Sequence, residues 1–212
     1  MNYAERLMHT LRWVGIAGVI LGGTSARGSE IANPAAREAL VLCQAADGVP
    51  LSDRPKILAS GLERAEKAVQ EAPQDAGAHF AVFCNLGKRL QIEQHRLWLL
   101  AGLNELNRAR RELDIALELA PDYPAAVAAK GEMLAELPRF LGGDAQEGER
   151  LLRRAVGLAP DDPHIRVMLA SLLRATQPEE ARNHAAVALH ILERSGPSTE
   201  VDNVRTLMAR LE

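Results

Sequence analysis

Three stretches of the chain share one pattern of small, apolar and charged positions. In each stretch an Ala is followed by Val or Leu, and a Pro closes the stretch five residues after that Ala. The copies are ERAEKAVQEAPQD (63–75), RRELDIALELAPD (110–122) and ERLLRRAVGLAPDD (149–162). Because Pro has no N–H to donate and clashes with the preceding turn, each copy predicts a helix that ends at its Pro.

A small residue precedes Ala68, Ala116 and Ala155 by seven positions: Gly61, Ala109 and Gly148. A small side chain permits close approach of a neighbouring helix, so we expect helices to touch there. Each Pro is followed by another helical stretch, which Asp122 and Asp162 are placed to cap. A fourth copy, residues 179–193, lacks the closing Pro, and residues from 198 onward predict a final capping helix. The sequence therefore predicts an all-α solenoid of three to four irregular helical hairpins.

Composition agrees with an all-helical chain. Hydrophobic residues make up 47% of the 212 positions, but aromatic residues make up only 3%. Ala and Leu supply most of the apolar side chains, which suits close-packed helices better than a sheet. The formal net charge is −3 with 25% charged residues, so we expect no basic surface able to bind a phosphate backbone, and no nucleic-acid partner.

The N-terminus has the pattern of a secretory signal peptide. Arg6 and Arg12 precede the apolar run WVGIAGVILGG, and Thr-Ser-Ala at 24–26 supplies the small residues that a signal peptidase accepts. We expect residues 1–26 to be removed, leaving 27–212 as one helical repeat domain in the periplasm or another exported location. The alternative is a retained segment that anchors the protein in a membrane, although the run is shorter than the ~20 apolar residues of a spanning helix.

Two cysteines, Cys43 and Cys84, lie on separate predicted helices. In an oxidising compartment they are candidates for one disulfide, but two buried thiols are an equally good interpretation. Their spacing does not show whether their Cα atoms approach closely enough to be bridged. Two cysteines without a CxxC motif or clustered histidines fall short of a four-ligand metal site, so none is predicted.

The repeated pattern, from about residue 35 to 195, resembles tetratricopeptide (TPR) repeats. His79, Val127 and Arg166 stand where the family has a bulky aromatic residue near the start of the first helix. The closing prolines are 48 and then 39 residues apart, compared with about 34 in a plain repeat. The resemblance implies stacked helical hairpins that bind a protein or peptide partner, with no active-site residues or cofactor.

The extra residues between the second and third closing prolines form the insertion LPRFLGGD, from Leu137 to Asp144. With the long helix pair upstream, it resembles the periplasmic T component associated with tripartite ATP-independent (TRAP) transporters. That likeness implies an oligomer around a cavity for small hydrophobic ligands. Asp144 and Glu147 have the spacing of a capping box, which explains much of the insertion structurally. Exposed Arg139 and Phe140 form an alternative contact point.

Enzyme motifs are not found in the sequence. The histidines form no HExxH pair, and the GGD element lacks the ending of a phosphate-binding loop. We therefore predict a binding protein. Counting from each repeat start places candidate binding residues on the inner face of the first helices: Phe80, Lys88, Glu132, Ser171 and Arg174. Polar groups at these positions would orient a ligand, with a solvated helix face as the alternative.

Overall fold

A computed structural model describes residues 33–92, 101–194, 196 and 198–211. Every regular element in these ranges is helical. The helices are α1 (Pro34–Ala45), α2 (Arg54–Glu71), α3 (Ala76–Ile92), α4 (Ala101–Leu119), α5 (Pro124–Glu136), α6 (Ala145–Leu158), α7 (Pro163–Leu173), α8 (Pro178–Glu193) and α9 (Thr199–Ala209). Short 3₁₀ turns occupy Ala46–Gly48 and Arg139–Leu141. The all-α prediction is confirmed, and the expected signal peptide lies outside the described residues.

The Ala-Pro pairs end helices as predicted. Helices α2, α4 and α6 each stop two residues before the Pro of their copy. In each case the N–H of the Ala before the Pro donates to the carbonyl of the first Ala in the pattern, at 2.8 to 2.9 Å. The repeated residues thus close the last helical turn and then prevent its continuation.

The starts of the following helices agree with the sequence only in part. Asp162 caps α7 as predicted, its Oδ1 accepting from the N–H groups of His164 and Ile165. Helix α5 begins at Pro124, so Tyr123 directly precedes the helix and Asp122 lies one residue earlier. The equivalent role at α3 belongs to Asp75, which accepts from two backbone N–H groups of the first turn.

The chain divides into two compact units, residues 1–126 and 127–212. In the first unit α1, α2 and α4 pack against α3. Residues 76–88 of α3 are all buried, so this helix forms the centre of the unit. At Gly61 of α2, an added Cβ would lie 2.1 Å from Asn85 Oδ1. The predicted close approach therefore occurs here, between α2 and α3.

In the second unit the described residues form the hairpins α5/α6 and α7/α8, followed by α9, which packs on α8. Gly131 and Gly148 face each other where α5 crosses α6, because a Cβ on either would lie less than 3.0 Å from the other's carbonyl oxygen. Only glycine permits this backbone contact. No helix in the described ranges is long and apolar enough to cross a membrane.

Candidate functional site

Three of the predicted binding residues are buried in the structure. Phe80 is fully buried, and its ring stacks against Phe83 and meets Tyr123 edge-on, with ring centroids 5.9 and 5.1 Å away. Lys88 and Glu132 are 3% and 6% exposed. The expectation that these side chains line an open face is therefore wrong. The helices that carry these residues are covered on both faces. The helical periodicity of the sequence indicates one buried face and does not show that the opposite face is buried as well.

Lys88 belongs to a corner that holds α1 against α3. Cys43 of α1 and Cys84 of α3 form a disulfide with their Cα atoms 6.2 Å apart. One turn further along α3, the Lys88 ammonium donates to the carbonyl of Cys43 at 2.9 Å and pairs with the carboxylate of Asp47. The charge of Lys88 is thus used within the fold, which assigns it a structural role.

Two histidines of the described ranges, His79 and His164, are also engaged or buried. The ring nitrogens of His79 lie 2.7 Å from Glu112 Oε2 and 3.0 Å from the carbonyl of Pro73. Burial lowers the pKa of His164 to about 4, so this ring is neutral at physiological pH. Among the described residues, no group of three or more His, Cys, Asp or Glu side chains is placed to hold a metal ion.

The insertion between α5 and α6 presents an exposed aromatic side chain. Phe140 is 75% exposed, more than any other large apolar side chain in the part of the chain that the structure describes. Arg139 beside it is also exposed. Both belong to the 3₁₀ turn Arg139–Leu141, in which the N–H groups of Leu141 and Gly142 donate back to Pro138 and Arg139. Phe140 is therefore carried by a hydrogen-bonded turn.

Two glycines and two further hydrogen bonds fix this turn on the end of α5. Gly142 has a left-handed φ of 83°, which favours glycine. A Cβ on Gly143 would lie 1.6 Å from the carbonyl oxygen of Leu137. The N–H of Gly143 donates to Pro138 at 3.1 Å, and that of Asp144 donates to Leu134 at 2.8 Å. The backbone of the loop is thus held close against the end of α5.

The capping box predicted for the same insertion forms only on one side. Asp144 accepts from the N–H groups of Gln146 and Glu147, as a capping residue does. The side chain of Glu147 does not return to Asp144, and instead makes a two-point contact with Arg150 at 2.6 and 2.7 Å. The N–H of Asp144 is already used in the loop. Glu147 is thus neutralised by an arginine.

The loop before α6 and the loop before α8 lie at the same edge of the second unit. The side chain of Gln177, at the start of α8, donates to Glu149 in α6 at 3.2 Å. Arg153 of α6 bridges Glu149 and Glu180. Gln177 and Glu180, at the start of α8, thus meet the second and third turns of α6, so both helices begin on the same side of the unit. The ends of α5 and α7 precede α6 and α8 in their hairpins and therefore lie on that side too. The exposed side chains of Arg139, Phe140 and Arg174 are thus on one edge of the unit.

We call Arg139, Phe140 and Arg174 the loop edge. Ser171, one turn before Arg174 on α7, is partly exposed. Ser171 and Arg174 are thus the two inner-face candidates that remain accessible, and Arg139 and Phe140 are exposed as expected. The sequence suggested the inner face and the insertion as two separate sites, and the helix order brings Arg174 of the first to the same edge as Arg139 and Phe140 of the second.

At this edge the glutamates are paired within the protein, whereas two of the arginines are not. Four glutamates at this edge have basic partners: Glu147 pairs with Arg150, Glu149 and Glu180 with Arg153, and Glu179 with Arg182. Asp144 accepts from backbone N–H groups of α6. The Arg139 and Arg174 guanidinium groups make no hydrogen bond or ion pair to any residue in the described ranges. The charge available for a ligand at the loop edge is therefore positive.

Glu136, at the foot of the same loop, was not suggested by the sequence. Burial raises the pKa of its carboxyl to about 8, and its Oε2 atom has no hydrogen-bond partner among the described residues. The group is mostly protonated at neutral pH, so it does not cancel the charge of Arg139. The burial of Glu136 depends on tertiary packing. It could not be predicted from the sequence, because a Glu at the end of an amphipathic helix is normally expected to be exposed.

The helical hairpins, their close glycine contacts and their Pro-terminated second helices define a TPR-like helical repeat fold. The structure is similar to the crystal structure of a thermophilic TPR protein from Thermus thermophilus, with a TM-score of 0.58 and 21% identity. The match covers 82% of this chain and 80% of that chain. No family model matches the sequence, and no curated protein matches it. At this identity the likeness establishes the fold alone.

Proposed function

We propose that this protein is a non-catalytic scaffold that binds a protein partner through the loop edge. The observation that supports the proposal is Phe140, a large apolar side chain that is 75% exposed on a turn held by backbone hydrogen bonds. Exposed apolar side chains on rigid supports make effective contact residues, since little conformational freedom is lost on binding. The TPR-like fold supports the same proposal, because stacked hairpins of this kind present loops and helix faces to partners.

A photocrosslinking experiment tests this proposal. A benzoylphenylalanine placed at position 140 should crosslink to a discrete protein in cells of the source organism. The matched control carries the same probe at Leu51, an apolar residue of the first unit that is 67% exposed. Crosslinks to the same protein with similar yield at both positions, or none at position 140, would contradict the proposed surface.

We further propose that the protein acts outside the cytoplasm. The disulfide between Cys43 and Cys84 supports this location, because such bonds persist in oxidising compartments and are rare in the cytosol. The signal-like pattern of residues 1–26 supports it independently. Mass spectrometry of the native protein should find an N-terminus near Arg27 in the envelope fraction. An intact Met1 in the cytosol would refute export, and an intact Met1 in the membrane fraction would favour the anchored alternative.

A narrower form of the proposal makes the partner a transporter component. It rests on the likeness of the LPRFLGGD insertion to that of the T components associated with TRAP transporters, and on the exposure of Arg139 and Phe140 within it. Purification of the tagged protein from its source should then recover a solute-binding protein together with membrane subunits. Recovery of an unrelated partner would leave the scaffold role in place and exclude the transporter role.

A further inference from the structure

We infer that the loop edge takes an acidic peptide segment that carries an apolar side chain between its carboxylates. This inference rests on the proposed protein-binding function and specifies the chemistry of the partner. Phe140 supplies an apolar contact, and the guanidinium groups of Arg139 and Arg174 supply two positive charges at the same edge.

Charge complementarity favours an acidic partner over a neutral or basic one. The carboxylates of Glu147, Glu149 and Glu180 are occupied by intramolecular arginines. A basic peptide would therefore have to break existing ion pairs to reach these three carboxylates. An acidic peptide meets Arg139 and Arg174 directly, and arginine forks bind carboxylates with two parallel hydrogen bonds.

The same charges argue against an anionic membrane as the occupant. A membrane surface responds to the summed field of all charges within a Debye length of about 8 to 10 Å. Glu147 and Glu149 are already paired with Arg150 and Arg153, so the summed field at the loop edge is that of Arg139 and Arg174 less the charge of Asp144, and it is weak. A peptide instead contacts individual groups, and the two arginines without a described partner are the ones it meets.

Selection from a random peptide library on the full-length folded protein tests the inference. Enriched peptides should carry Asp or Glu on both sides of an aromatic or aliphatic residue. Binding of a selected peptide, measured by fluorescence anisotropy, should weaken about tenfold in the R139Q/R174Q variant and about tenfold or more in Phe140→Ser. Affinity for the wild-type protein should also fall as salt is raised.

Matched variants control for net charge and for general loss of apolar surface. R111Q/R194Q removes the same number of exposed arginines, one on α4 of the first unit and one at the opposite end of α8. Leu51→Ser removes an exposed apolar side chain elsewhere. Both controls should bind the peptide as the wild type does. All four variants alter exposed side chains, so their helical content and melting temperatures should match the wild type.

Each contrary outcome has a distinct meaning. Enrichment of neutral or basic peptides overturns the inference, as does binding that R139Q/R174Q leaves unchanged, while a crosslink at position 140 would preserve the scaffold function. A library that yields no peptide, together with no crosslink, overturns both. Phe140-dependent sedimentation with phosphatidylglycerol vesicles, without peptide binding, overturns the inference in favour of a membrane surface.

Discussion

Replacing Lys88 tests whether its charge serves the fold instead of a ligand. The side chain is 4% exposed, and its ammonium holds both the Cys43 carbonyl and the Asp47 carboxylate. Lys88→Met retains most of the aliphatic stem but removes the donor, which should cost about 1 to 3 kcal/mol of unfolding free energy. Lys88→Ala also empties the space of the stem and should cost about 3 to 5 kcal/mol.

Urea unfolding followed by circular dichroism measures these losses. Lys67 is the matched control, because it is 70% exposed in an i,i+4 pair with Glu71 at 3.8 Å. Lys67→Met should change stability by no more than about 0.5 kcal/mol. If Lys88→Met and Lys67→Met lose the same small amount, the corner around Cys43 does not depend on the buried charge. A loss of partner binding in Lys88→Met without loss of stability would restore Lys88 as a binding residue.

Three further changes probe other contacts. Reducing the disulfide between Cys43 and Cys84, which are 41 residues apart, should cost roughly 4 kcal/mol in the chain-entropy model, and unchanged melting after reduction would contradict it. Burial raises the folded-state pKa of Glu136 from 4.5 to about 8. Between these two pH values the folded protein holds a proton that the unfolded chain has lost, so this group should lower the unfolding free energy of the wild type by about 1.4 kcal/mol for each unit of rising pH. Glu136→Gln should lack this slope in urea titrations at pH 5 to 8, and an identical slope would refute the assignment. Gly143→Ala should cost more than about 2 kcal/mol because its Cβ meets the Leu137 carbonyl, whereas Gly157→Ala, with open space in α6, should stabilise by about 0.5 to 1 kcal/mol. Equal melting temperatures for the two glycine variants would show that the loop accommodates a side chain.

Local chemistry accounts for what could be predicted from the sequence. The Ala-Pro pairs ended their helices where expected, since a missing N–H acts on its own turn whatever surrounds it. Gly61 and Gly148 lay at helix contacts because only small residues permit the observed backbone approach. Asp162 capped its helix for an equally local reason, because its carboxylate accepts from N–H groups of the first turn.

The site depended on packing that no repeat pattern encodes. Helical periodicity separates two faces of a helix, but it does not say whether a second layer covers the outer one. That covering decided that Phe80, Lys88 and Glu132 are buried, and it raised the pKa of Glu136. The pairing of Cys43 with Cys84 likewise required α1 to lie against α3. The chain itself determined the helices and their ends through interactions within a turn or two, while the tertiary structure decided which charges remain available, because that depends on neighbours distant in sequence.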